Sequence, residues 1–215
     1  EAIERLSENH VDLKIISGDN EFVTSHLCKL LGIPIKGILN GPEISKMTDE
    51  ALQGSVEKIN AFCRVTPTQK TRIIEALKKR GHIVGYMGDG INDAPSLHMA
   101  HVGLSVDSAV DVAKEAADFI LLKHDLRVIN DGVIEGRRTY GNIMKYIMMA
   151  TSSNFGNMLS MAGASLFIPF LPMLAPQILL NNLLYDVSET PIPLDNVDKE
   201  TLTQPHKWSM SFITK

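Results

Sequence analysis

Gly88-Asp89-Gly90-Ile91-Asn92-Asp93-Ala94-Pro95 follows an apolar run, His82–Met87, that reads as a strand. The two glycines let the backbone turn tightly just past the strand's carboxyl end. Two carboxylates and an amide on that turn are hard oxygen donors of the kind Mg²⁺ takes, one or two at a time, together with phosphate. In parallel α/β sheets this is also where ligands bind. A polar glycine-rich loop can be a plain turn, so the neighbouring sequence has to decide.

Working outward, helical and strand patterns alternate. Leu13-Lys14-Ile15-Ile16 is a short apolar run that stops at Ser17-Gly18-Asp19-Asn20, a strand and a turn. A helix is expected over Glu21–Leu31, ending at Gly32 and Pro34, and one or two more over 43–60. Ala61–Val65 reads as a strand. Thr66-Pro67-Thr68-Gln69 then opens a helix, with Thr66 as N-cap, Pro67 at the first helical position and Gln69 closing a capping box. That helix runs to Arg80 and stops at Gly81. Val102–Val106 and Asp118–Leu122 are further strands, with a helix over 108–117 between them. Such alternation predicts an α/β domain with a largely parallel sheet.

Two other polar clusters fall near strand ends. Ser17 could offer a hydroxyl, and the Gly18 turn backbone N–H groups, to a phosphoryl oxygen, although polar turns are common. Lys70 lies in the first turn of the well-capped helix, whose amino end already favours anions. Without context, a lysine such as Lys70 is more often a solvated surface residue.

The chain carries 21 basic and 25 acidic side chains, a formal net charge of −4, and neither half has the basic clustering of a nucleic-acid footprint. Cys28 and Cys63 have no metal-ligand spacing and read as two buried or half-buried thiols in a reducing compartment. The sequence opens at Glu1, which suggests a start inside a longer protein. Its charges are uneven: residues 146–185 contain no Asp, Glu, Lys or Arg. That length accommodates two helical crossings of a membrane at roughly twenty residues each. Pro169, Pro172 and Pro176 lie where a reversal would fall. Arg137, Arg138 and Lys145 just before the run set that side as cytoplasmic. A buried soluble hairpin is the competing idea.

Inside the uncharged run, Asn154 and Asn157 share a face of the first helix. Asn181, Asn182 and Asp186 lie on the second. Polar groups in lipid are costly and either glue helices together or line an ion path. Amide and carboxylate oxygens suit a hard divalent cation, and no Cys or His lies there for a soft one. Met148, Met149, Met158, Met161 and Met173 are expected to fill packing gaps.

Three motifs together resemble one family. Residues 88–95 match the GDGxNDxP signature of P-type ATPases, Ser17-Gly18-Asp19 resembles their TGD motif with Ser for Thr, and Thr66–Lys70 resembles the segment bearing their phosphate-binding lysine. The resemblance covers essentially the whole chain. It implies an α/β, haloacid dehalogenase-like parallel-sheet domain, incomplete here, over residues 1–142. A transmembrane α-helical hairpin (143–186) and a cytoplasmic tail (187–215) would follow. It further implies catalytic roles for Lys70, Ser17, Asp89, Asn92 and Asp93. Mg²⁺ would be held at Asp89 and Asp93, and the phosphoryl group would be contacted by Ser17, Gly18, Asp19 and Lys70. The family's DKTGT segment, with its nucleophilic Asp, and the TGE loop of its actuator domain do not occur in these residues. By the resemblance, the DKTGT segment also carries a central strand of the sheet, and ATP binds mainly on a nucleotide domain that lies elsewhere.

The uncharged run resembles the family's fifth and sixth membrane helices, with Asn154, Asn157, Asn182 and Asp186 as candidate ligands of the transported ion. Related calcium pumps have Glu at the position of Asn157, and Asn and Asp at those of Asn182 and Asp186. The Asn-Leu-Leu-Tyr-Asp run and Ile192–Asp198 look most like the bacterial magnesium-translocating branch. The expectation is therefore a piece of an ATP-driven, magnesium-importing pump of the cytoplasmic membrane. Its partners would be Mg²⁺, ATP, the lipid bilayer and the remainder of the pump, with no nucleic acid. A calcium or other divalent pump, a membrane-anchored haloacid dehalogenase-like phosphatase, and a regulatory fragment are the alternatives.

Overall fold

The computed structural model describes residues 2–123, 125–170 and 172–206. They form two compact units: Glu1–Ser7 with Val11–Val128, and Glu8–His10 with Ile129–Lys215.

In the first unit, α1 (Ala2–Glu8) leads to β1 (Ile15–Ile16), α2 (Glu21–Leu30), β2 (Ile38–Asn40), α3 (Gly41–Lys46), α4 (Asp49–Val56) and β3 (Ala61–Cys63). Then come α5 (Pro67–Lys79), β4 (Gly85–Met87), a 3₁₀ turn at Ile91–Asp93, α6 (Ala94–Met99), β5 (Val102–Val106), α7 (Asp111–Ala116) and β6 (Phe119–Leu121). Every strand pairing is parallel, as the alternating pattern requires. The sheet is nevertheless in two halves, β1-β3-β2 and β4-β5-β6, with β1 and β4 each an outer strand. The strand β2, which the pattern missed, is three residues long between Pro34 and the Asn40 cap, too short to display a period.

Helix α5 joins the halves. Thr66 Oγ1 accepts from the Gln69 N–H at 3.3 Å and Gln69 Oε1 accepts from the Thr66 N–H at 2.9 Å, the expected capping box. Gln69 Nε2 also donates to Gly41 O and Ser45 Oγ, so the cap ties α5 to α3. Along α5, Ile73 and Leu77 enter the cluster built on Phe62, Ile44, Leu52 and Val56. Ile74, one position on, enters the cluster of Tyr86, Leu97 and Ala113. Ile16 and Val84 pack against both. Both thiols, Cys28 and Cys63, are free and buried.

In the second unit, α8 (Arg127–Phe167), whose first two residues belong to the other unit, is one continuous helix that begins well before the uncharged run. It is followed by α9 (Ala175–Glu189) and, beyond a 3₁₀ turn at Ile192–Leu194, by α10 (Lys199–Thr203). Among the described residues no helix is long and apolar enough to cross a membrane. Helix α9 has 15 residues, and α8, though 41 long, carries Ser152, Ser153, Asn154, Asn157 and Ser160 in its later half. Pro169 precedes α9, but Pro176, expected in the reversal, lies inside its first turn, where a missing N–H costs nothing. Residues 191–206 run back along α8. Lys145 Nζ meets Asp195 Oδ2 at 2.7 Å, Arg137 Nη1 donates to Leu202 O and Thr203 O, and Tyr140 stacks on His206. A Cβ at Gly141 would sit 2.7 Å from Val197 Cγ1, so the tail passes where α8 has no side chain.

Candidate functional site

Helix α5 begins at the site. Its cap fixes the first turn, and Lys70 leaves that turn with its side chain only 14% exposed. Its ammonium lies 2.7 Å from Asp93 Oδ1, across 23 residues of sequence. Asp93 is set by the loop after β4: its Oδ2 accepts the Gly90 N–H at 3.2 Å, a turn closed by the 3₁₀ segment. Tyr86 Oη donates to Asp93 Oδ1 at 2.7 Å. Burial pushes the Asp93 carboxyl up, but the Lys70 and Tyr86 hydrogen bonds, the Lys70 charge and the Gly90 N–H together outweigh it. The group lies below its ordinary value of 3.8. The Tyr86 phenol is raised well above its ordinary range, by burial first and then by the Asp93 carboxylate.

The loop itself is held from behind. Ser105, fully buried on β5, donates to Gly88 O at 2.9 Å, while the Gly88 N–H reaches Leu104 O and the Val110 N–H reaches Asp89 O. A Cβ on Gly88 would lie 2.5 Å from Asp93 Cβ, so only glycine lets the loop close on Asp93. Asp89 and Asn92 are exposed, and neither side chain makes a hydrogen bond or ion pair with another described residue. An unengaged carboxylate beside a held one is a donor set that fits a single Mg²⁺ taking most of its ligands from phosphate and water. Among the described residues no group of three His, Cys, Asp or Glu side chains could hold a metal ion by itself.

Ser17 and Asp19 form a separate cluster. Ser17 Oγ donates to Asp19 Oδ2 at 3.0 Å and accepts the Asp19 N–H at 3.1 Å. Ser17 O takes the Val65 N–H and Asp19 O the Arg64 N–H, which anchors this turn just before the Thr66 cap. Gly18 is exposed at its apex. The turn and Lys70 thus belong to the same end of α5.

The motifs named every charged member of this site, but not the direct Lys70–Asp93 pair or the roles of Tyr86 and Ser105. Nothing in sequence marks a tyrosine on an apolar strand as a carboxylate's partner. In the second unit, a cavity of about 150 Å³ is lined by Asn154, Asn157, Asn181 and Asn182 with Met158, Met161, Met173 and Ile178. A more open one of about 430 Å³ is lined by Asn157, Ser152, Ser153, Tyr185 and neighbours. Asp186, one turn beyond Asn182, lines neither.

Residues 1–101 match the haloacid dehalogenase-like hydrolase family. The chain is 54% identical over 212 residues, 99% of its length, to a magnesium-transporting P-type ATPase of Salmonella typhimurium, and covers 23% of that protein. It is 49% identical over 208 residues to the Escherichia coli protein of the same description, again covering 23% of it. Nearly the whole chain is thus similar to P-type ATPases. It spans about a quarter of the length of these curated relatives. A solved zinc-transporting P-type ATPase in its E2.Pi state shares the fold, with a TM-score of 0.66 and 24% identity over 90% of this chain and 26% of that one. The α/β unit is haloacid dehalogenase-like.

Proposed function

We propose that these residues are part of an ATP-driven magnesium transporter that works through an aspartyl-phosphate, the nucleophile and the nucleotide domain lying outside them. The observation that carries the reading is the buried Lys70–Asp93 pair beside the unengaged Asp89, on a loop that only glycine can close. Phosphoryl transfer asks a protein for positioning and for positive charge on the phosphoryl oxygens. Lys70 supplies that charge by leaving Asp93, and the Ser17 hydroxyl and the Gly18 turn offer further donors. Asp93 holds Lys70 in readiness, and Asn92 offers an amide at the same loop. Asp89, with the free lone pair of Asp93 Oδ2, would hold Mg²⁺, whose charge offsets that developing on the phosphoryl group. Among the described residues β1 and β4 each keep an unpaired edge, and these edges suit a central strand carrying the nucleophile between them.

For the membrane part, we propose that residues 143–186 form a transmembrane hairpin, with 1–142 and 187–215 on the cytoplasmic side. The absence of charge over 146–185 supports it, as does a fold likeness reaching over 90% of the chain. The serines and asparagines that make α8 less apolar are those an ion path needs. Asn154, Asn157 and Asn182, gathered at one cavity, and Asp186 are the proposed ligands of the transported ion. Magnesium is favoured over calcium because the relatives at 54% and 49% identity are magnesium-transporting, whereas a calcium-transporting yeast relative is 33% identical. The test is metal-dependent turnover of the full-length protein in vesicles at constant Mg-ATP. Free Mg²⁺ on the transport side should stimulate ATP hydrolysis and be carried across. Stimulation by Ca²⁺ alone would overturn the ion assignment.

A further inference from the structure

Tyr86 lies on β4 two residues before the Gly-Asp-Gly turn, 8% exposed, its ring in the cluster of Ile74, Leu97 and Ala113. A buried tyrosine of this kind packs by its ring and must find a partner for its hydroxyl. Its partner is Asp93 Oδ1 at 2.7 Å, the same oxygen that Lys70 Nζ reaches at 2.7 Å. A carboxylate has about four lone-pair sites, two per oxygen. On Oδ1 both are taken, one by the phenol and one by the ammonium. On Oδ2 one is taken, by the Gly90 N–H.

We propose that Tyr86 is a positioning residue of the phosphoryl-transfer site, keeping Asp93 hydrogen-bonded when Lys70 moves from it to a phosphoryl oxygen. The inference rests on the phosphoryl-transfer reading above. With Tyr86 present, departure of Lys70 leaves Oδ1 still bonded to the phenol, and the Gly90 N–H holds the other oxygen. Without the phenol, departure strips a buried carboxylate oxygen of its last donor. That cost is set against the phosphoryl group's claim on Lys70. The hydroxyl therefore makes Lys70 available rather than binding phosphate itself. The ring supplies the rigidity, because the packed cluster fixes where the hydroxyl can point.

The experiment is equilibrium labelling of the full-length protein by radioactive inorganic phosphate, comparing the parent with Tyr86→Phe. The half-saturating phosphate concentration should rise roughly tenfold, the order of one hydrogen bond to a charged group. The same substitution in a Lys70→Ala background should add nothing, because the effect runs through that lysine. A merely structural hydroxyl would lower the thermal midpoint in both backgrounds and leave the phosphate midpoint where it was, and that result overturns the proposal. Should Tyr86→Phe fail to fold, Tyr86→Met removes the same hydroxyl and is read in the same way. No label on the parent would instead overturn the phosphoryl-transfer reading, and this inference with it.

Discussion

Lys70→Ala in the full-length protein is expected to slow aspartyl-phosphate formation by a factor of about 10²–10³, the usual loss when one preorganised charge stabiliser is removed. The same substitution strands Asp93, whose side chain is 12% exposed and whose oxygen would keep only the Tyr86 phenol. Breaking a buried pair by removing one partner costs about 3–5 kcal/mol. Removing both partners costs much less, because no uncompensated charge remains. Lys70→Met combined with Asp93→Asn should therefore recover most of the lost stability and none of the activity. Thermal midpoints read beside phosphorylation rates separate the two effects. A Lys70→Ala protein that phosphorylates at the parental rate would remove this lysine from the site.

Gly88→Ala should be as damaging by a different route. The added Cβ would stand 2.5 Å from Asp93 Cβ and 2.7 Å from its Cγ, distances that require Asp93 or the loop to move. Asp93 cannot move without breaking its bonds to Lys70, Tyr86 and Gly90. The loop cannot move without disturbing the Ser105 bond to Gly88 O. A displacement of this size near the chemistry costs about 10²-fold in rate, with a loss of stability of about 1–3 kcal/mol from overpacking. Gly54→Ala is the matched control. It lies in α4 with nothing within 4 Å of the added methyl, so it should stabilise the helix by about 0.5–1 kcal/mol and leave phosphorylation intact. Equal effects from the two substitutions would mean that the close approach at Gly88 has no functional consequence.

The parts of this fold that were legible in sequence are those in which local chemistry acts alone. The Thr66–Gln69 box could be read directly, because a hydroxyl, a proline and an amide at fixed spacing satisfy the first N–H groups of α5 whatever surrounds them. Strand β5 was bounded correctly at Val102–Val106 because it is five residues long and is flanked by helices. The glycine-rich loop declared itself because few other functions need two carboxylates and an amide on so tight a turn. What could not be read depends on residues far apart in sequence meeting in space. The Lys70–Asp93 pair spans 23 residues, and Tyr86 looks like any core aromatic until its hydroxyl is seen on a carboxylate. Division of the sheet into halves was equally hidden, since strand order is a tertiary property. In the second unit, charge absence marked residues 146–185, but the length of α8 and the lodging of Pro176 within α9 follow from helix geometry that composition does not carry.

The most direct measurement is to label the full-length protein with γ-labelled ATP, quench it in acid and map the label by proteolysis. The expected result is an acid-stable, hydroxylamine-sensitive phosphate on an aspartate outside these 215 residues, formed about 10²–10³-fold more slowly in Lys70→Ala, with no label on the isolated 215-residue chain. Label on Asp19, Asp89 or Asp93, or on the isolated chain, would contradict the assignment of this site as the phosphate-handling half of a pump whose nucleophile lies elsewhere.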